Sequence, residues 1–138
     1  MRISLRAGEK IYINGAVVSV DRKVSIELLN DVTFLLEAHV MQAADASTPL
    51  RQVYFAVQLM LMDPASSPAI QMSVDRMIES FVALAPDDAL RDRVLSVRRL
   101  VESTRLFEAL KTLRALFPLE ASVYGVASAQ HARIAQEG

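Results

Sequence analysis

The chain has no cysteine, only two histidines and only four glycines in 138 residues, and each shortage removes a class of chemistry. Without cysteine there is no disulfide framework, no thiolate zinc site and no cysteine nucleophile, and the composition suits a reducing compartment; the cytoplasm is the expected location. His39 and His131 have no second ligand at metal spacing, so no metal site is expected. As general bases they fare no better: His39 reads as a surface or capping residue at a strand end, and His131 falls in a tail. Gly8, Gly15, Gly125 and Gly138 form no cluster that could cradle a phosphate, and no nucleotide cofactor is expected. Asp87, Asp88 and Asp92 do group together, but at the start of a helical segment, where carboxylates complement the helix dipole. An enzyme is therefore not expected.

Long apolar runs are also missing. The most apolar stretch, Val53 to Met62, is interrupted by Gln58 and falls well short of the roughly 20 residues that span a bilayer, so it reads as a buried helix. The opening residues Met1 to Lys10 alternate charged and apolar side chains and lack the continuous apolar core of a secretory signal. Neither membrane nor export is expected.

What is present is enough for one domain. At 138 residues and 52% hydrophobic content, the chain can bury a single sizeable core. The net charge of −1 conceals an uneven distribution. Residues 1–23 carry Arg2, Arg6, Lys10, Arg22 and Lys23 against Glu9 and Asp21, while residues 24–90 hold two bases and nine acids. Residues 91–114 turn basic again, with Arg91, Arg93, Arg98, Arg99, Arg105, Lys111 and Arg114 against three acids. Such asymmetry points to a surface for a polyanion, with ordinary solvated faces as the plain alternative.

The apolar period divides the chain in two. Ile11, Ile13, Val18 and Val20 alternate on either side of Asn14-Gly15, the strongest short hairpin signal. A two-residue turn there pairs Ile13 with Ala16 and Ile11 with Val18, leaving Lys10, Tyr12, Val17 and Ser19 on the other face. Ile3 and Leu5, then Val24, Ile26 and Leu28, then Val32, Phe34 and Leu36 continue the alternation. From Thr48 the period lengthens to that of a helix. Thr48-Pro49 and Ser67-Pro68 are start signals, Asp63-Pro64 and Pro86 are stops, a third segment begins near Asp87, and Ser103-Thr104 breaks or kinks the chain before Leu106.

The expected fold is α+β: a small N-terminal antiparallel β-sheet followed by a bundle of three or four α-helices. Residues 1–45 form the β-rich part, 48–117 the helical part and 118–138 a loosely ordered tail, all within one domain spanning 1–138. A homodimer would hide any surplus apolar helix face.

Several strings resemble those of the flagellar biosynthesis repressor FlbT family. Gly8-Glu9-Lys10 precedes Asn14-Gly15-Ala16, Val40-Met41-Gln42 precedes the helices, and Thr48-Pro49-Leu50-Arg51-Gln52-Val53-Tyr54-Phe55 opens them. Leu106 to Lys111 is similar to the family's aromatic-rich helix, with Leu106 where an aromatic residue is expected. The resemblance covers residues 1 to about 117, in family order. It implies post-transcriptional control of flagellin synthesis, by binding the 5' leader of flagellin messenger RNA and promoting its decay, with a FlaF-type flagellar regulator as partner. No enzymatic step, no cofactor and no DNA is implied. The alternative is a protein-interaction adaptor or chaperone acting on flagellin or its regulators without RNA contact.

The resemblance transfers no contact residues, so the expected RNA surface rests on local physics. Arg2, Arg6 and Lys10 would meet phosphates and Tyr12 would stack on an unpaired base, all on the N-terminal sheet. Arg91, Arg98 and Arg99 form a secondary patch on the third helix.

Overall fold

The structure, a computed structural model, describes the backbone of residues 1–30 and 32–137, and the side chains of those residues up to Val123. Five short strands come first: β1 (Arg2–Leu5), β2 (Lys10–Ile13), β3 (Ala16–Ser19), β4 (Val24–Glu27) and β5 (Phe34–Leu36). Asn14 and Gly15 both adopt positive φ, 50° and 81°, as a turn with the twist of a two-residue hairpin requires. The register follows, with Ile13 opposite Ala16 and Ile11 opposite Val18.

The strands form two sheets rather than one. β1 pairs only with β4, and β2 lies between β3 and β5. Ile3, Leu5, Ile11 and Phe34 close a small core of their own. Leu35 and Tyr12 point the other way, into the helical core. The β2–β5 layer is thus apolar on both faces. Alternation predicts one buried and one wet face for a single sheet; here a second layer and the helices cover both.

Four helices follow: α1 (Pro49–Met62), α2 (Ser67–Leu84), α3 (Asp88–Glu102) and α4 (Leu106–Glu137). Each packs on its chain neighbour, and α4 returns to α1, so the bundle closes on itself around Leu50, Val57, Ile78, Val94, Leu110 and Leu113. Phe107 of α4 stacks on Phe34 of β5, centroids 4.7 Å apart, and joins the small core to the bundle. The hairpin tip reaches the other end of α1: a Cβ on Gly15 would meet Pro64 Cδ at 3.3 Å.

The third helix ends at the expected break. Arg105 N–H bonds to Leu100 C=O and Thr104 N–H to Val101 C=O, the bond pair of a Schellman cap. The left-handed position, which usually belongs to glycine, is held by Thr104 at φ 57°.

The expectation of a loosely ordered tail from residue 118 is corrected at its start. Pro118 lies inside α4, although a proline removes one helical hydrogen bond and crowds the preceding turn. Two residues later the reason for continuing is evident. Glu120 is buried, and its carboxylate accepts from Leu50 N–H at 2.9 Å and from Thr48 Oγ1 at 2.5 Å. Thr48 Oγ1 in turn accepts from Arg51 N–H, and Pro49 has no N–H to satisfy. The start of α1 is therefore capped by its own threonine and by a residue of α4 together. His131 and the other side chains beyond Val123 lie outside the described residues.

Two stability predictions follow from these caps. Glu120→Ala leaves Leu50 N–H without a partner in a buried place, and should lower unfolding free energy by about 1–3 kcal/mol in urea titration. Combined with Thr48→Ala the loss should be less than additive, because the two residues cap the same turn. Thr104→Gly should raise stability by roughly 0.5–1 kcal/mol, the relief of the left-handed strain less the added chain entropy of glycine. An unchanged midpoint would contradict it.

Candidate nucleic-acid interface

The residues expected to form one basic surface are divided by the two-layer strand arrangement. Arg2 lies on the outward side of β1, exposed, with its guanidinium 3.7 Å from Glu27 on the paired strand. Arg6 is exposed in the turn after β1, where its backbone N–H donates to the Glu9 carboxylate. Lys10 is exposed at the start of β2, and its N–H donates to Glu37. Tyr12, two residues on, shares the Lys10 face by alternation. That face turns toward the helices, so the Tyr12 ring is half-buried against the bundle core. The expected pairing of cation and free ring on a solvent face is therefore not what the fold presents: Arg2 and Tyr12 lie on opposite sides of the strand layers.

The three arginines of α3 also differ from one another. Arg98 faces α2 and sits within 4 Å of Asp75, Glu79 and Glu102, so it serves as a clamp between two helices. Arg91 pairs with Asp88 at 3.0 Å and donates to the Ala85 carbonyl at the end of α2. Arg99 is exposed and has no ion pair among the described residues. Asp87 caps α3 by accepting from Ala89 N–H, the structural role its position suggested.

A different site emerges where the connector between β5 and α1 crosses α1 and α4. Two buried side chains bind the connector to α1. Gln58 accepts from Met41 N–H and donates to Met41 C=O, at 2.6 and 2.9 Å, imitating a strand partner. Tyr54 Oη donates to His39 C=O at 2.5 Å and accepts from Arg114 Nη1 at 3.0 Å. Beside these bonds lies a cavity of about 520 Å³, lined by His39, Arg51, Tyr54, Arg114 and Phe117 among others. The Arg51 guanidinium lies 4.6 Å from the Phe117 ring centre, Phe117 meets Tyr54 edge-on at 5.6 Å, and Arg114 lies 5.9 Å from the Tyr54 ring. Two adjoining rings are thus flanked by two cations across two helices.

Arg51 and Tyr54 belong to the string that opens α1, but Arg114 and His39 carry no local signal. They meet only because α4 packs along α1. Burial and the Arg114 charge lower the His39 pKa from the ordinary 6.5. Among the described residues, no group of three histidines and carboxylates could hold a metal ion, and no helix is long and apolar enough to cross a membrane.

Comparison with known sequences is consistent along nearly the whole chain. A model of the family described as "Flagellar protein FlbT" matches residues 1–124. A protein of Bradyrhizobium diazoefficiens named "Probable flagellum biosynthesis repressor protein FlbT 2" is 53% identical over 129 residues, covering 93% of this chain and 95% of the relative. Proteins of Brucella anthropi and Brucella abortus, both named "Probable flagellum biosynthesis repressor protein FlbT", are 50% and 51% identical and cover 93% and 91% of this chain, and 84% and 82% of their own lengths. No solved structure matches.

The lowered His39 pKa sets the sign of a pH effect. Above about 6.5 the ring is neutral in both folded and unfolded chains; below it the unfolded chain takes up a proton first, so stability falls as pH drops toward the lowered folded value. Denaturation at about pH 7.5 and about pH 5.5 should therefore show a smaller loss on acidification for His39→Gln than for the parent. An equal loss would remove His39 from the acid response.

Proposed function

Because the chain belongs to the FlbT family of flagellar proteins, we propose that it regulates flagellum biosynthesis after transcription. In this reading it binds the 5' leader of flagellin messenger RNA in the cytoplasm and promotes its decay, together with a FlaF-type regulator. The single observation that carries the regulatory role is near-full-length similarity to relatives named as flagellum biosynthesis repressors. The RNA step is supported by charge. Arg6, Lys10 and Arg99 are exposed without carboxylate ion pairs among the described residues, and Arg51 and Arg114 are available at the cavity between α1 and α4. Cations spread over several faces suit a flexible single strand that bends around the protein better than a rigid duplex.

A protein-interaction adaptor is the second reading, and β3 favours it. This strand is an edge of its sheet, and Val17 and Val18 are 61% and 40% exposed. An apolar edge can accept a strand from another protein.

An electrophoretic shift with the flagellin leader decides between them. The parent should bind at low salt, and Arg6→Ala or Lys10→Ala should each flatten the salt dependence by about 0.7 in log–log slope if that side chain meets a phosphate. Arg98→Ala should leave the slope unchanged, since its charge is already matched by carboxylates. No shift at low salt, combined with nuclease-resistant co-purification of flagellin, would replace the RNA reading with the adaptor.

A further inference from the structure

Four arginines among the described residues are half-buried: Arg51, Arg91, Arg98 and Arg114. Arg91 and Arg98 have carboxylate partners. Arg51 and Arg114 have none among the described residues, yet they line the same cavity. Withdrawing a guanidinium from water without a counter-charge is unfavourable, and proteins ordinarily pair such groups. The two are also held in place before any ligand arrives: Arg51 lies on Phe117, and Arg114 is fixed by its bond to Tyr54 Oη. Asp45 also lines the cavity, but is exposed and makes no ion pair with either arginine.

We propose that this cavity is a phosphate subsite, in which Arg51 and Arg114 together bind one phosphate group of a single-stranded RNA. The proposal rests on the RNA reading above and assigns it a position that the N-terminal strands do not provide. Planar guanidinium groups match phosphate oxygens with paired N–H donors. A cavity of about 520 Å³ has room for a nucleotide, and small-ligand sites span roughly 300–1,000 Å³. The same chemistry would accept the phosphate of a free mononucleotide, and the test separates the two sources.

Full-length protein would be titrated with a single-stranded RNA and, separately, with adenosine 5'-monophosphate. The parent, Arg51→Gln, Arg51→Gln with Arg114→Gln, and both lysine variants would be compared, with folding checked by circular dichroism and thermal melting. The double glutamine variant should bind RNA at least about tenfold more weakly, with a log–log salt slope smaller by about 0.7 for the one phosphate no longer neutralised on single-stranded RNA. The lysine variants should keep the slope but recover only part of the affinity, because lysine lacks the paired donors. If the double variant does not fold, Arg51→Gln alone decides, since among the described residues its side chain meets the Phe117 ring; weaker RNA binding is expected, with part of that slope reduction, because Arg114 still faces the phosphate. A folded variant that binds RNA like the parent, with equal slope, would overturn the subsite while leaving the RNA reading intact. Binding of the mononucleotide but not of RNA, lost in the variants, would overturn the RNA source and keep a phosphate site. Binding of neither would overturn both.

Discussion

The carboxylate of Glu120, buried between α4 and the first turn of α1, is the contact on which the rest of the arrangement depends. A helix begins with N–H groups that its own backbone cannot satisfy, and in the first turn of α1 Leu50 is fully buried. Thr48 satisfies one of them and Glu120 another. Because the second cap comes from α4, the start of α1 and the middle of α4 are held at a fixed separation. Everything that α1 carries on that side inherits this spacing. Phe117 is positioned under Arg51, and Arg114 reaches the Tyr54 hydroxyl.

Helix α1 also organises the β part through polar groups that would be out of place in an ordinary core. Tyr54 and Gln58 are almost wholly buried and reach His39 and Met41 in the connector. Buried polar groups of this kind stabilise only when every hydrogen bond is made, and they then favour one arrangement over its neighbours. The connector, which has no regular partner strand, thereby gains a fixed path past the cavity. The hairpin tip is fixed at the other end of α1, where Gly15 leaves room for Pro64.

Much of this was legible in the residue order. Asn14-Gly15 specified the hairpin and its register, Thr48-Pro49 and Asp87 marked two helix starts, and Ser103-Thr104 marked the break. These are local signals, each settled within a few residues. The sequence was silent where the answer depended on distant partners. That β1 joins β4 instead of extending the other strands is a choice between pairings with equal alternation. Tyr12 read as a free ring because one face of a sheet is ordinarily wet, and the bundle that covers it is specified much later in the chain. Arg98 read as a binding group because Asp75 and Glu79 lie on another helix. Pro118 read as an end because the compensating residue, Glu120, looked like any exposed glutamate. The site around Arg114 was invisible for the same reason.

The distance along the chain between Glu120 and the turn it caps has a further consequence, for synthesis. The ribosome releases the hairpin, the connector and α1 well before α4, so in the nascent chain the first turn of α1 has only Thr48 as a cap, and the Tyr54 hydroxyl lacks Arg114. Contacts that span much of a chain form late and make folding slow but cooperative. The cavity between α1 and α4 can exist only after α4 has docked. Any ligand that requires it is recognised only once α4 is in place, and a polypeptide stopped after α3 would carry the hairpin and all of the basic N-terminal residues but lack Arg114.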